Sequence, residues 1–348
     1  MKKGILGKAF ISVGVAAVSI TGLLPISAVA DEGLVNVYSA RKEALIKPLF
    51  DRFTEETGIA VNLVTGKADA LLKRLEVEGS ASPADLFVTV DAGRLHRAKQ
   101  AGVLQVSNSD VLNKLIPTNL KDSDNYWYGM TQRARTIFYV KGKVDPSQLT
   151  TYEALADPKW KGRICVRSSN NIYNQSLVAS MIDANGIKAT EQWAKGLVAN
   201  FAKPPAGGDT DQLRAAAAGV CDIAIANTYY FGRLLKSNKE ENHAVASKLA
   251  AFWPNQDDRG VHMNVSGVGL TKHARNADNA IRLMEFMASD QSQAWYGDEN
   301  NEYPVVDGAE ISATLNELGR FKADDIELSK LGENNRAAVE LMDRAGWK

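Results

Sequence analysis

Tyr229 and Tyr230 are adjacent tyrosines that follow a short apolar run, residues 220–226, which is typical of a buried strand. Ligands of open α/β sheets bind beyond the carboxyl ends of the strands, and Asn227 and Thr228 allow a turn that brings both rings to one point. A phenol has a pKa of about 10, so two phenolates at one point require a strong, hard cation, and ferric iron fits this chemistry best. The alternative is that both residues are ordinary half-buried aromatics.

A third tyrosine, Tyr173, lies in a similar position. A strand predicted near residues 163–168 is followed by a polar loop, and a helix begins close to Tyr173. The N-terminus of this helix and the Ser and Asn groups of the loop, including Asn171, favour an anion. We therefore expect three tyrosines at one edge of the fold, with a binding site for an anion beside them.

The first 30 residues predict an export signal. A basic start is followed by an apolar stretch, residues 9–24, and the small residues 27–30 offer a cleavage site before Asp31. The alternative is a transmembrane anchor, but the apolar stretch is short and no later run reaches the roughly 18 apolar residues of a membrane span. We expect cleavage after Ala30 and an exported soluble protein.

Composition excludes several classes of function. The 41 basic and 41 acidic residues are interspersed, and no basic block predicts binding to nucleic acid or to a membrane surface. The sequence contains no G-x-S-x-G, H-E-x-x-H or P-loop motif, so we expect no enzyme. The four histidines show no ligand spacing, and His262 is expected to be a hydrogen-bonded core residue.

Apolar periodicity predicts an α/β chain. Alternating strands and helices are expected over residues 34–38, 43–57, 59–64, 67–77, 84–90 and 91–101, which indicates a parallel sheet with helices on both faces. Two long strand-like stretches follow, at residues 126–140 and 260–270. Between them, helices are expected near residues 151–156, 174–185, 187–201 and 209–218, and strands near residues 163–168 and 220–226. This pattern predicts two lobes joined by crossing strands, with a cleft that closes by a hinge.

Cys165 and Cys221 are the two cysteines, and each precedes one of the tyrosine loops. Both are expected in the middle of neighbouring strands. In an exported chain an even number of cysteines favours a disulfide. The alternative is a pair of buried, reduced thiols, whereas a catalytic cysteine would need a base and an exposed position.

The chain resembles the periplasmic ferric iron-binding proteins of ABC uptake systems, most closely the tyrosine-rich members found in cyanobacteria. The resemblance covers essentially the whole chain after the signal segment. It is carried by the motifs VYSAR (37–41), SPADLF (82–87), RAR (133–135), SSNNIYNQ (168–175), NTYY (227–230), HMNVSG (262–267) and EYPV (302–305).

The resemblance implies an α/β fold of the type II periplasmic binding protein class. Its first lobe comprises residues 31–133 and 266–305, and its second comprises residues 134–265 and 306–348. It also implies a monomer that binds a ferric ion (Fe(3+)) and delivers it to an ABC transporter permease and its ATPase. The implied metal ligands are the phenolates of Tyr173, Tyr229 and Tyr230.

The sequence departs from the family in the first lobe. Lys42 and Glu43 stand where relatives have His and Tyr, and Val90 stands near a carboxylate ligand of others. Glu43 is therefore a candidate metal ligand, although a carboxylate at a helix N-terminus is the alternative.

A synergistic anion, carbonate or citrate, is the other implied way to complete the metal's ligands. The candidates to hold it are Arg41, Arg133 and Arg135, together with Asn171. For the arginines, surface or interlobe salt bridges are the alternative.

A different ligand on the same fold is the competing prediction. In a carrier of a polyamine, thiamine or an oxyanion such as sulfate, the tyrosines would stack on the ligand or hydrogen-bond to it. A polyamine site should show clustered Asp and Glu, and the two tyrosine loops carry none.

Overall fold

A computed structural model describes residues 33–348, and the expected signal segment lies outside these residues. In this described part, no helix is both long and apolar enough to cross a membrane.

Residues 33–348 contain eight strands in one curled sheet. The strands are β1 Leu34–Ser39, β2 Ala60–Thr65, β3 Leu86–Val90, β4 Tyr128–Val140, β5 Ile164–Cys165, β6 Ile223–Asn227, β7 Leu249–Phe252 and β8 Met263–Leu270. Their order is β2-β1-β3-β8-β4-β6-β5, and β7 pairs with β4.

Helices alternate with these strands within residues 33–348. They are α1 Lys47–Thr57, α2 Ala68–Glu78, α3 Ala92–Gln100, α4 Asp110–Leu115, α5 Ile172–Ala199, α6 Asp209–Ala217, α7 Thr228–Leu235, α8 Glu240–Ser247, α9 Ala277–Met287, α10 Asp290–Trp295, α11 Ala313–Asn316, α12 Ser329–Glu333 and α13 Asn335–Arg344. A π-helical turn, Tyr296–Asn300, follows α10.

The first part of the chain folds as the periodicity predicts. Strand β1 pairs in parallel with both β2 and β3, because the helices α1 and α2 return the chain to the same edge. Helix α1 starts at Lys47, later than expected, since Ile46 is not helical and residues 43–45 form a separate 3-10 turn. Pro48 lies in its first turn, where a missing N–H has no cost.

The long strand β4 connects the two parts of the sheet, as predicted, whereas β8 pairs only with β3 and with the first half of β4. The residues of β4 up to Ala134 pair antiparallel with β8. From Arg135 onward β4 pairs with β6, and from Ile137 also with β7. One strand thus belongs to both half-sheets, and the change of partner falls between Arg133 and Arg135.

The second part differs from expectation in three places. Strand β5 has two residues instead of six, because the carbonyls of Arg167 and Ser168 accept hydrogen bonds from the Asn174 side chain and so leave the ladder. The two helices expected around Gly186 form one element, α5, in which Gly186 (φ 77°) is the break. A 3-10 turn replaces the helix expected at 151–156.

Candidate metal-binding site

The three tyrosines meet at the ends of neighbouring strands. Strands β5 and β6 are parallel and adjacent, so their carboxyl ends share one edge of the sheet. Tyr229 and Tyr230 lie in the first turn of α7, directly after β6, and Tyr173 lies in the first turn of α5. The Tyr229 hydroxyl donates to the Tyr173 hydroxyl at 3.1 Å, and the rings of Tyr229 and Tyr230 are 4.3 Å apart between centroids.

A disulfide joins the segments that precede these loops. Cys165 and Cys221 are bonded, with 5.9 Å between their Cα atoms, which confirms the expected bridge. Cys165 lies on β5, but Cys221 precedes β6 by two residues rather than lying within a strand. The bridge ties together the starts of the two segments that present the tyrosines.

The tyrosines line an open cleft of about 180 Å³. Three cationic side chains, Arg41, Lys42 and Arg233, line the same cleft, together with the carboxylate of Glu302 and the apolar Val90. Glu302 is ion-paired with Arg41, because its Oε2 accepts hydrogen bonds from Arg41 at 3.0 Å and from Thr131 at 2.7 Å. The cleft therefore combines phenol oxygens with an excess of positive charge.

Burial and proximity control the protonation of the phenols. Burial raises the pKa of Tyr229 well above its usual value, and the neighbouring Tyr173 and Tyr230 raise it further. Burial and Tyr173 likewise raise the pKa of Tyr230. Nearby guanidinium groups act in the opposite direction, Arg133 on Tyr229 and Arg167 on Tyr230. Without a metal both phenols are protonated at neutral pH.

Arginines also pack against the rings. The Cζ atom of Arg233 lies 5.0 Å from the ring centroid of Tyr229 and 5.6 Å from that of Tyr230. Arg133 and Arg167 each lie 5.6 Å from the ring centroid of Tyr173. These cation–π contacts hold the rings and supply positive charge where phenolates would form.

The arginines expected to hold an anion have different surroundings. Arg41 lines the cleft but is ion-paired with Glu302. Arg135 is buried, and its guanidinium is engaged by Asp209, Asn174 and Asn227 away from the cleft lining.

Arg133 is buried beside Tyr173, and its Nε and Nη2 have no hydrogen-bond partner among residues 33–348. Asn171 caps α5, because its side chain accepts from the Tyr173 N–H at 3.0 Å.

Glu43 does not reach the tyrosines. It is exposed in the 3-10 turn before α1 and does not line the cleft, whereas its neighbour Lys42 does. Within the described residues no group of three or more His, Cys, Asp or Glu is arranged to hold a metal ion, so the clustered oxygen donors are the phenols.

His262 is buried, as expected, but it is not hydrogen-bonded through its ring. Neither ring nitrogen has a partner among the described residues. Burial, together with the charges of Arg135, Arg133 and Arg259, lowers its pKa to about 3, so the ring is neutral. The expectation of a satisfied core histidine is therefore wrong in this detail.

Arg233 and Glu302 line the cleft but were not predicted as site residues. Arg233 follows Tyr229 by four positions, a spacing that places both on one helix face, and this signal was sufficient to find it. Glu302 meets Arg41 across 261 positions of sequence, and no local pattern indicates such a pair.

Comparison with known proteins identifies the family. Residues 38–294 match the model of the bacterial extracellular solute-binding proteins. The chain is 47% identical to iron uptake protein A1 of Synechocystis over 348 residues, which cover 99% of this chain and 97% of that protein.

Two solved structures share the type II periplasmic binding protein fold. Trichodesmium FutA (IdiA), solved with iron and citrate, is 51% identical with a TM-score of 0.88, over 91% of this chain and 100% of that one. Metal-free FutA2 of Synechocystis is 46% identical with a TM-score of 0.86, over 90% of this chain and 99% of that one. The chain therefore belongs to the bacterial extracellular solute-binding protein family.

Proposed function

We propose that this protein binds ferric iron through the phenolates of Tyr173, Tyr229 and Tyr230 and carries it to an ABC transporter. The observation that carries the proposal is the contact of two phenol oxygens, 3.1 Å apart, beside a third phenol at an open cleft. Three phenolates neutralise a trivalent cation, and oxygen ligands suit a hard ion. The similarity to iron uptake protein A1 and to an iron-bound FutA supports the same cargo.

An exogenous anion completes the ligands of the metal. The first lobe offers no phenol or free carboxylate among the described lining residues, and it contributes Arg41 and Lys42 instead. Carbonate or citrate balances this excess of positive charge and supplies the oxygen ligands that the protein does not provide to the metal. The Trichodesmium relative, which was solved with citrate, supports this part of the proposal.

The cleft closes by a hinge between two lobes. The first lobe comprises residues 31–133 and 266–305, and the second comprises residues 134–265 and 306–348. The change of pairing partner along β4 lies near this boundary. Closure brings Arg41 and Lys42 of the first lobe towards the tyrosines of the second.

The proposal extends to the location of the protein and to its partners. The protein acts in the periplasm after cleavage behind Ala30, as a monomeric carrier rather than an enzyme. Its partners are the permease of an ABC transporter and the ATPase of that transporter. The similarity to a periplasmic Fe(3+)-binding protein of Serratia marcescens, 29% identical over 92% of this chain, supports the location.

Replacing Tyr230 by Phe tests the ligand assignment, because it removes only the oxygen atom. We expect ferric iron, presented as a chelate, to be held at least about tenfold more weakly, a loss of about 1.4 kcal/mol. Tight iron binding by Tyr230→Phe would refute the ligand set. Failure of the unmodified protein to take up iron, with binding of sulfate or thiamine instead, would support the competing carrier function.

A further inference from the structure

The arginines around the phenols differ in how their charge is balanced. Arg41 is paired with Glu302 at 3.0 Å, and Arg135 is paired with Asp209 at 2.9 Å. Arg167 reaches the other oxygen of Asp209 at 3.4 Å, the longer of the two contacts to this carboxylate. Asp209 is therefore mainly the partner of Arg135, and the positive charge of Arg167 is only loosely compensated.

The backbone of Arg167 is nevertheless fixed. Its carbonyl accepts one hydrogen bond from the side chain of Asn174 at 2.7 Å and another from the indole of Trp347 at 3.1 Å. The side chain is 18% exposed, and its Nε has no hydrogen-bond partner among residues 33–348. The backbone of Arg167 is therefore fixed, while the Nε–H of its guanidinium is available to donate a hydrogen bond beside the site.

The guanidinium of Arg167 faces one of the phenols. Its Cζ lies 5.6 Å from the ring centroid of Tyr173. Arg167 thus places positive charge directly beside this proposed ligand.

We propose that Arg167 is a counter-cation of the loaded site, whose loosely paired guanidinium compensates the negative charge that Tyr173 acquires when it binds the metal. The inference rests on the proposed function and adds a positioning residue to it, since Arg167 acts through Tyr173 and not on the ion. Charge compensation has a large effect here, because the surroundings are buried and screen charges weakly.

The tests are the substitutions Arg167→Gln and Arg167→Lys, with Arg163→Gln as the matched control. Arg163 lies just before β5 on the same segment and has its own partner, Asp222, at 2.7 Å. For Arg167→Gln we expect affinity for chelated ferric iron to fall about ten- to hundredfold. We also expect the phenolate-to-iron absorption band to move to longer wavelength, because phenolate electrons without a nearby cation are easier to transfer.

The lysine variant separates charge from structure. Arg167→Lys keeps the positive charge, so we expect it to restore the band position and most of the affinity, while Arg163→Gln leaves both unchanged. Unchanged affinity and band position in Arg167→Gln would overturn the inference, as would equal loss in the Gln and Lys variants. Absence of the band in the unmodified protein would instead refute the proposed function.

Discussion

The hydroxyl of Tyr229 donates a hydrogen bond to the hydroxyl of Tyr173 over 3.1 Å, although 56 positions of sequence separate the two residues. The pair forms because β5 and β6 end at the same edge of the sheet. Strand β6 passes directly into α7, and a loop of residues 166–171 leads from β5 to the first turn of α5. In the metal-free protein the hydroxyl proton of Tyr229 lies in the hydrogen bond between the two oxygens. A bound cation would displace the phenol protons and use both oxygens.

Removal of the Tyr173 oxygen should therefore disable the site without disturbing the fold. For Tyr173→Phe we expect the affinity for ferric iron to fall roughly a hundredfold or more, about 2.8 kcal/mol of binding free energy. Competition with a chelator of known affinity measures the change. Tyr139→Phe is the control, since Tyr139 is a half-buried tyrosine of β4 outside the cleft lining. Equal losses in the two variants would contradict the assignment.

Iron binding should weaken as the pH falls. The pKa values of Tyr229 and Tyr230 are raised by burial and by the neighbouring phenols, so both phenols must release a proton before they bind the ion. Release of at least these two protons reduces the apparent affinity by at least about a hundredfold for each pH unit of acidification. A titration between pH 5 and 8 checks the slope, and a pH-independent affinity would exclude phenolate ligation.

The stability of the metal-free protein should show a different pH dependence. Because the pKa values of Tyr229 and Tyr230 are raised in the folded state, their contribution to folding stability is fully present below the pKa of tyrosine in the unfolded chain, about 10. It is lost as the pH rises through their folded values. We expect unfolding midpoints in urea to fall above about pH 10. In the double variant with Phe at both positions this decline should be smaller.

The disulfide should contribute substantially to stability. The Cys165–Cys221 bridge closes a segment with a sequence separation of 56, and cross-links of this size contribute about 2–4 kcal/mol. We expect the double variant Cys165→Ser, Cys221→Ser to lose stability in this range. Iron affinity should change less, because the β5–β6 pairing and both helix starts remain. Urea unfolding and chelator competition measure the two effects separately.

Glu302 should stabilise the cleft by balancing Arg41. Although burial opposes ionisation, the charges of Arg41 and Arg133 and the hydrogen bond from Thr131 hold the pKa of Glu302 below its usual value. Glu302→Gln would leave Arg41 buried without a counter-charge, and we expect a loss of about 3–5 kcal/mol. The control is Glu299→Gln, at an exposed position. Similar unfolding midpoints for both variants would show that the pair has no such role.

Local sequence patterns were sufficient to predict the positions of the tyrosines. Apolar runs define β5 and β6 approximately. Tyr229 and Tyr230 follow β6 directly, whereas Tyr173 follows β5 after a loop of residues 166–171. The length of β5 was overestimated because apolar character continues through Val166, while the side chain of Asn174 competes for the backbone at residues 167 and 168. Such competition depends on tertiary structure and leaves no periodic signal.

The charges around the tyrosines could not be predicted in the same way. The sequence marked Arg135 as a candidate for anion binding, yet Asp209 and two asparagines bind its guanidinium. Those partners come from α5, α6 and β6, and only the folded chain brings them together. Glu43 and Lys42 are adjacent in sequence, but the 3-10 turn leaves Glu43 outside the cleft lining.

The most direct measurement is the visible absorption spectrum of metal-free protein during titration with chelated ferric iron at neutral pH. It should be recorded without added anion, with bicarbonate and with citrate. The expected result is a phenolate-to-iron band that rises to one equivalent of iron and is stronger when an anion is present. A protein that stays colourless under all three conditions would contradict iron binding by Tyr173, Tyr229 and Tyr230.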